Sequence, residues 1–567
     1  MRSLALFAIT LSIASAAPML RLSSTVVGPV SIAAGPVQEV EAFNTGDGAL
    51  HLTFTSTALW LTATAGQSRR CSGREGDCIP IRIAFPAQSL ATGLHSATLT
   101  VSSAGALDAP QNILVTVQIG GGVPARLEFF VPPNGAADEI IFHTNSQLQA
   151  EVTTQSGGSW LSVALDGLGS FRFVLPYKVT ARHVPGMTEG TYNGAIVTKD
   201  SRFAADNRNV PVSLRVTSQP IAAPVQTSLR FRIAQNTGVH VQALAFSNRG
   251  LGTLNLTGAS SAASSGGAWL SAETVSGAVT VRADSASLAP GIYKGEVNVT
   301  SNGANSPLRI PVECEVIPQS APSISYQGVV NNADFDPDDP VAQGGIAAVF
   351  GEQLAFGPLR QASSLPLPTE LGGVRVFVND RPAPIFFTSC NQINFQIPYD
   401  AQPSLTAQVR VEREGQRGNT VTKWLVPSAP RILPLTGLYG VVVNSDGTFP
   451  VPRSLGIPNS RPARAGDALT FYALGLGQTS PPIADGAAAP SQEPLARVPS
   501  PFAKVLFGAL ALPTGVPADV LYVGLTPGFA GLYQFNVVVP EGVTPGDVPV
   551  RLQLETVASN YVLVTIE

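Results

Sequence analysis

A tryptophan–leucine pair recurs at intervals of about 100 residues in the first half of this 567-residue chain, as Trp60-Leu61, Trp160-Leu161 and Trp269-Leu270. Each pair is followed by a turn and a strand of shared lettering, which reads Gly-x-Tyr-x-Gly in the second and third copies. A repeat of about 100 residues matches the size of one small β-sandwich. The spacing therefore predicts several tandem domains.

Apolar and polar residues alternate with a period of two around these landmarks. Ala97, Leu99 and Val101 are separated by hydroxyl residues, and Val297 and Val299 are separated by a polar one. This alternation is typical of a strand with one buried face, and no dozen-residue window carries the 3.6-residue period of an amphipathic helix. The sequence predicts an all-β fold of tandem immunoglobulin-like β-sandwich domains with only short helical connections.

Segments rich in proline, glycine and serine separate the repeats. The chain has 54 Gly and 47 Pro, about 18 % of its residues against the usual ~12 %, which suits a fold with many turns. Three similar modules are predicted at residues 18–120, 124–218 and 224–318.

The rest of the chain carries a second duplication of a different kind. Gly345–Leu354 is similar to Gly466–Gly475, and Gln392–Pro398 is similar to Gln534–Pro540. The second pair is further apart than the first, so the second copy contains an extra loop. Two further sandwiches, packed on each other, are predicted at residues 323–428 and 430–567.

The first sixteen residues have the three parts of a secretory signal peptide. A positive start at Arg2 precedes the apolar run Leu4–Ile13 and a group of small residues that ends at Ala16, where cleavage is expected. The apolar run of about ten residues is short of the ~20 that cross a bilayer, and no later stretch reaches that length. We therefore predict a secreted or cell-surface protein with no transmembrane segment.

Two of the four cysteines, Cys71 and Cys78, flank a short polar loop that contains glycine. In an oxidising compartment a disulfide between them would close this loop at a hairpin tip. The alternative is a metal site, but no second Cys or His pair lies at ligand spacing, and zinc normally takes four such ligands. Cys314 and Cys390 fall in different predicted domains and are expected to be buried single thiols.

Charge and motif content bear on the function classes. The chain has 34 Lys and Arg against 38 Asp and Glu, a net charge of −4, so no basic field would collect phosphates and we predict no nucleic-acid partner. The five His are scattered, and no His-Glu-x-x-His, Gly-x-Ser-x-Gly or phosphate-loop motif occurs. The sequence predicts a non-enzyme without a cofactor. A catalytic triad or carboxylate pair assembled in space remains an alternative.

Four carboxylates lie within six residues, at Asp334, Asp336, Asp338 and Asp339. Ca²⁺ prefers hard oxygen ligands on a loop, and the spacing is similar to the start of a calcium-binding loop. The later Gly and bidentate Glu of an EF-hand are missing, and two prolines restrict how the oxygens could converge. A Ca²⁺ site and a solvated acidic turn are the two alternatives.

The repeated tryptophans Trp60, Trp160 and Trp269 also allow two interpretations. An exposed aromatic ring can stack on a sugar, which would make them a ligand platform. Each Trp is followed by Leu in an apolar–polar alternation, which favours burial in a sandwich core.

Five motifs in the C-terminal region carry a resemblance to a known family: Gly328–Ala333, Gly344–Gly351, Leu371–Asn379, Gln392–Pro398 and Pro527–Asn536. They are similar to the uncharacterised C-terminal domain of secreted proteins from Solibacter-type Acidobacteria. The resemblance covers about 240 residues and implies no activity or catalytic residue, because that family has none assigned. Cys390, just before the motif Gln392–Pro398, departs from the family pattern.

The three upstream repeats resemble BACON-type modules, bacterial immunoglobulin-like domains whose name proposes carbohydrate binding. The Trp-Leu pair and the Gly-x-Tyr turn carry this resemblance, and the first repeat departs from it with His95 at the Tyr position. The resemblance implies no ligand residue.

Three functional hypotheses follow. The first is a non-catalytic, secreted or cell-surface scaffold that acts in adhesion or extracellular assembly, with cell-surface proteins as partners. The second is an extracellular carbohydrate-binding protein whose partner is a polysaccharide. The third is an enzyme whose active site is not visible as a motif. For the scaffold, unpaired edge strands offer a route to self-association.

Overall fold

The structure is a computed structural model that describes residues 17–31, 38–85, 93–119, 122–144, 147–166, 175–201, 203–275, 277–499, 503–510 and 514–567. These ranges contain 46 strands and two single-turn 3₁₀ helices, Ala204–Asp206 and Arg453–Leu455. The all-β prediction is confirmed. None of the helices in the described part is long and apolar enough to cross a membrane. The predicted signal peptide, residues 1–16, lies outside the described residues.

Consecutive strands build five units along the chain. The strands of the first unit are β1 (Leu20–Leu22), β2 (Val26–Ser31), β3 (Gln38–Asn44), β4 (Leu52–Ser56), β5 (Thr62–Ala65), β6 (Arg69–Arg70), β7 (Asp77–Ala84), β8 (Gly93–Ser103) and β9 (Gln111–Ile119). One sheet has the order β1-β3-β7-β5, with β6 also on β7, and the other has the order β2-β9-β8-β4.

The second and third units repeat this plan. The strands of the second unit are β10 (Leu127–Val131), β11 (Asp138–Thr144), β12 (Gln149–Thr154), β13 (Leu161–Leu165), β14 (Leu175–Ala181), β15 (Gly190–Lys199) and β16 (Asn209–Val216). Those of the third are β17 (Ala222–Pro224), β18 (Leu229–Ala234), β19 (Val239–Leu244), β20 (Phe246–Asn248), β21 (Leu256–Ala263), β22 (Leu270–Val275), β23 (Ala278–Asp284), β24 (Gly291–Ser301) and β25 (Leu308–Ile317).

Corresponding sheets in these units have the same strand order. The larger sheets are β10-β16-β15-β12 and β18-β25-β24-β21, and they face β11-β14-β13 and β19-β23-β22. In each of the three units an early strand pairs in parallel with the last strand, as in β2–β9, β10–β16 and β18–β25, while the neighbouring pairs are antiparallel. The first three units are therefore sandwiches of one topology.

The fourth unit is a larger sandwich of two five-stranded sheets. Its strands are β26 (Ser323–Asn331), β27 (Val341–Ala342), β28 (Ile346–Glu352), β29 (Arg360–Gln361), β30 (Val374–Val378), β31 (Arg381–Ala383), β32 (Ile385–Thr388), β33 (Gln392–Gln396), β34 (Ser404–Arg413) and β35 (Gln416–Val426). The sheets have the orders β26-β28-β33-β32-β29 and β27-β35-β34-β30-β31.

The fifth unit differs because its strands form one continuous eleven-stranded sheet. They are β36 (Arg431–Ile432), β37 (Pro434–Thr436), β38 (Tyr439–Gly440), β39 (Val442–Asn444), β40 (Ala468–Leu474), β41 (Lys504–Phe507), β42 (Val516–Leu525), β43 (Tyr533–Val538), β44 (Gly546–Leu554), β45 (Val557–Ala558) and β46 (Val562–Ile566). Strand β42 makes this sheet continuous, since it pairs with β41 up to Ala518 and with β43 from Asp519 onward. A register shift between Val520 and Tyr522 marks a bulge, which bends the strand locally.

The Gly-x-Tyr-x-Gly lettering has a physical explanation in the second unit. The Tyr192 hydroxyl donates a hydrogen bond to the carbonyl of Thr188 at 2.9 Å, the arrangement known as a tyrosine corner in immunoglobulin-type sandwiches. Two residues on, a Cβ at Gly194 would lie 3.2 Å from the Trp160 ring and 2.6 Å from the carbonyl of Thr153. The motif therefore fixes a strand corner and leaves room for the core Trp. The third unit has the same corner, with the Tyr293 hydroxyl bonded to the carbonyl of Ala289 at 2.9 Å.

Candidate functional site

The three repeated tryptophans lie in the cores of their sandwiches. Trp60, Trp160 and Trp269 are only 7 %, 1 % and 3 % exposed. The indole N–H groups of Trp160 and Trp269 donate to nearby backbone carbonyls at 3.0 and 2.8 Å. Burial of the rings leaves no face on which a sugar could stack in this structure. The remaining tryptophan, Trp424, is 47 % exposed, and the repeat pattern gave no signal for it.

The acidic loop between β26 and β27 is held by two cations of the same region. Arg431 lies 2.8 Å from a carboxylate oxygen of Asp334 and also pairs with Asp339. Lys423 donates to the carbonyl of Pro337 at 2.8 Å, and burial lowers its pKa to about 8. Among the described residues, no three of the four loop carboxylates lie within 4.8 Å of one another.

The other two loop carboxylates are used locally. Asp336 accepts a hydrogen bond from the backbone N–H of Asp338 at 2.9 Å, and Asp338 accepts one from Gln327 at 3.3 Å. This arrangement joins the loop to strand β35 by the hydrogen bond from Lys423 and to the start of the fifth unit by the ion pairs of Arg431. It does not bring the loop oxygens together as a Ca²⁺ site requires.

The predicted disulfide is present between Cys71 and Cys78. The Glu41 carboxylate lies within 4.8 Å of both sulfurs. Because the sulfurs are bonded to each other, they offer no thiolate to a metal. Cys314 and Cys390 are free thiols.

The outer face of the third unit is buried by other units. On β18 and β25, Phe231 and Cys314 point into the core, while Arg230, Arg232 and Glu315 point outward. Both arginines pair with Glu315 at 2.9 Å, and this carboxylate is 1 % exposed. An outward carboxylate on an isolated sandwich would be solvated, so this face is an interdomain surface.

Three units meet at the Glu352 carboxylate of the fourth unit. It accepts a hydrogen bond from Arg232 of the third unit at 2.6 Å and one from Asn112 of the first unit at 3.2 Å. Thr98 of the first unit also lies 3.4 Å from Arg230 and 3.5 Å from Glu315. A cavity of about 570 Å³ lined by all three units adjoins these groups. We call this region the three-unit junction.

A second contact joins the first unit directly to strand β35 of the fourth. The Asp108 N–H donates to the carbonyl of Thr420 at 2.8 Å, and the Asp108 carboxylate accepts from the N–H and hydroxyl of Thr422 at 2.6 and 2.8 Å. Asp108 is 2 % exposed and forms an ion pair with Arg21. We call this group the Asp108 clasp. The chain therefore folds back, so that its first unit rests on the third and fourth.

A histidine and a cysteine also meet between the third and fourth units. The Thr237 hydroxyl donates to the carbonyl of Ala234 at 2.7 Å, so it accepts from Nε2–H of His240 at 2.8 Å. Nδ1 of His240 is then the acceptor for the Cys390 thiol at 3.0 Å. Burial lowers the pKa of His240 and raises the pKa of Cys390 to about 11. The pair is held as neutral imidazole and neutral thiol, whereas a nucleophilic cysteine needs the thiolate.

The fourth and fifth units share a buried polar interface. The backbone N–H of Tyr399 donates to Asp485 at 2.8 Å, and that of Gly486 donates to Gln396 at 2.7 Å. The Tyr399 and Tyr533 hydroxyls lie 3.4 Å apart, and burial raises the pKa of Tyr399 to about 12. These directional contacts fix one unit against the other.

Beside this interface lies a cleft of about 740 Å³, within the size range of small-molecule sites. The fourth unit contributes Trp424 and the segment 426–429 to its walls, and the fifth contributes Gln478 and the β44–β45 hairpin. We call it the Trp424 cleft. It combines an exposed aromatic ring with apolar and polar walls.

Comparison with known proteins identifies no family for this chain. No protein-family model and no curated protein matches the chain. Solved structures that align with it include an endo-fucoidan hydrolase of glycoside hydrolase family 107, with 12 % identity over 54 % of this chain and 45 % of that chain and a TM-score of 0.16. The chain thus spans less than half the length of that enzyme.

Two tandem-domain proteins also align. They are the human desmocollin-1 ectodomain, with 10 % identity over 87 % of this chain and 88 % of that chain and a TM-score of 0.15, and an I-band fragment of titin, with 11 % identity over 54 % and 96 % and a TM-score of 0.14. At these TM-scores the alignments carry no argument about the fold or the function of this chain.

Proposed function

We propose that the protein is a non-catalytic extracellular scaffold that holds its five units in one folded-back arrangement at the cell exterior. Such a scaffold would act in adhesion or extracellular assembly, with cell-surface proteins or polysaccharide as its partners. The predicted leader at residues 1–16 and the Cys71–Cys78 disulfide support this location.

One observation carries the proposal: the first unit is bonded to both the third and the fourth through buried polar groups. Chains of independent sandwiches have small interfaces and move relative to one another. Here the buried Asp108 carboxylate and the half-buried Glu352 carboxylate join the first unit to the fourth. The buried Thr98 of the first unit contacts the buried Glu315 of the third. Hydrogen bonds to charged groups contribute about 1.5–3 kcal/mol each, and leaving a buried charge without its partner costs more. A fixed spatial arrangement of surfaces is what a scaffold requires.

The neutral state of the His240–Cys390 pair supports the non-catalytic part of the proposal. A cysteine beside a histidine is the constellation of thiol catalysis, which depends on thiolate formation near neutral pH. Burial opposes that ionisation at Cys390. The pair then acts as one more contact between the third and fourth units.

Small-angle X-ray scattering tests the arrangement. The full chain is expected to give the distance distribution of the folded-back structure, and the double variant Asp108→Ala/Glu352→Ala is expected to give a larger radius of gyration and maximum dimension. Glu273→Ala is the control, because this exposed carboxylate pairs with Arg282 inside one sheet. An extended distribution for the wild type, or identical curves for wild type and double variant, would refute the proposal.

A further inference from the structure

We propose that the Trp424 cleft is a binding site for a neutral saccharide. The inference goes beyond the scaffold function and does not depend on how the first unit is docked. It rests on the position of Trp424, on the charge balance of the cleft and on a serine hydroxyl without a partner.

The strand pattern of β35 places Trp424 outside the core of the fourth unit. Its neighbours Lys423 and Leu425 are buried, and Trp424 points to the opposite face with 47 % of its surface exposed. The fifth unit provides another wall through the β44–β45 hairpin, where Val557 is exposed. An aromatic ring held open between two units offers a flat apolar surface to the C–H face of a pyranose.

The charges of the cleft favour a neutral ligand over an anionic one. Arg431 lines the cleft, but its guanidinium is paired with Asp334 and Asp339. The fifth unit adds the exposed carboxylate of Glu555. A sulfated or uronate-rich sugar would therefore meet no unpaired cation among the described lining residues and would meet one carboxylate.

Polar groups of the lining suit a ligand rich in hydroxyls. Gln478 binds the Tyr399 carbonyl through its amide N–H at 3.1 Å, and the exposed Thr556 also lines the cleft. The Ser428 hydroxyl is turned inward and has no hydrogen-bond partner among the described residues. Buried hydroxyls are normally paired, so an unpaired one in the wall of a cleft points to a ligand.

Affinity electrophoresis of the full chain in gels that contain soluble polysaccharide tests the proposal. The neutral probes are β-glucan, xylan and galactomannan, the anionic probe is alginate, and a proline-rich peptide is tested by titration calorimetry. We expect at least one neutral polysaccharide to retard the wild type. Trp424→Ala should weaken this binding tenfold or more, and Trp424→Tyr should retain much of it. Phe529→Ala is the control, because Phe529 is an exposed aromatic residue of the fifth unit that does not line the cleft.

Each other outcome overturns the proposal: no retardation by the neutral polysaccharides, retardation by alginate alone, binding of the peptide alone, or equal binding by wild type and Trp424→Ala. Thermal unfolding of Trp424→Ala at the wild-type temperature shows that a loss of binding comes from the missing ring. The scattering experiment on the first unit is independent of this result, so failure of the saccharide site and failure of the scaffold are distinguishable.

Discussion

Trp160→Ala tests whether the repeated tryptophan holds its sandwich together. The ring is 1 % exposed, its N–H donates to the carbonyl of Ser156, and Gly194 lets the opposite strand approach it closely. The substitution removes these contacts and leaves a cavity that β-sheets on both sides cannot easily close. Trp424→Ala is the matched control, because it removes the same side chain from an exposed position.

The expected magnitude follows from the burial. A large aromatic side chain buries about 150–250 Å², which at about 25 cal/mol per Å² gives an upper value of about 4–6 kcal/mol. Measured truncations of buried Trp cost about 3–5 kcal/mol. For a domain of 60–100 residues, each kcal/mol lowers the unfolding temperature by about 4–8 °C, so the second unit should unfold roughly 12–40 °C lower.

Differential scanning calorimetry of the full chain measures this effect. Only the transition of the second unit should move in Trp160→Ala, and no transition should move by more than about 2 °C in Trp424→Ala. A Trp160→Ala transition at the wild-type temperature would refute the assignment of Trp160 to the core. Equal shifts of the unfolding temperature in both variants would show that the exposure of a tryptophan does not determine how much its removal destabilises the protein.

Three further outcomes are expected. In denaturant without reductant the protein should show two reactive thiols, Cys314 and Cys390; native protein at pH 8 should show little reaction because burial raises their pKa values to about 12 and about 11, and four thiols in denaturant would contradict the disulfide. Joint replacement of Cys71 and Cys78 by Ser should lower the stability of the first unit in urea by about 2–3 kcal/mol, the chain-entropy value for a loop of about eight residues; an unchanged midpoint would contradict this. Lys423→Met should stabilise the fourth unit at pH 7, since burial lowers the pKa of Lys423 in the folded protein to about 8. Between pH 8 and about 10.5 the unfolded wild type binds one proton more than the folded wild type, so the stability of the wild type rises with pH and the stability advantage of the variant should shrink. A stability advantage that stays constant with pH in urea titrations would contradict this reasoning.

Local patterns in the sequence predicted local structure well. The alternation at Ala97, Leu99 and Val101 predicted strand β8 with these three residues in the core, and all three are buried. The loop between Cys71 and Cys78 predicted its own disulfide, because the two cysteines are close in sequence. In these cases the interacting groups lie on one strand or one hairpin, so spacing alone brings them together.

Contacts between units could not be predicted in this way. Arg230 and Glu315 alternate with core residues, and the same pattern occurs on any strand with a solvated face; only the docked first unit distinguishes them. Nothing in the sequence around Cys390 indicated its partner, because the histidine that it contacts lies 150 residues away. Trp424 is also followed by a leucine, Leu425, but it lies outside the three repeated modules. Its exposure depends on which face of β35 meets the fifth unit.

The Asp108 clasp can form only late in the synthesis of the chain. Its two halves are separated by 314 residues, so at about 5–20 residues per second the ribosome needs roughly 15–60 s to supply Thr422 after Asp108. During that time the first and third units expose the faces that will later be covered. Those faces carry Arg230, Glu315 and Asn112, which water solvates well, and incomplete chains with charged faces have little tendency to aggregate. Because the contacts between these units are made by polar groups, the incomplete chain has little tendency to aggregate before the fourth unit has been synthesised.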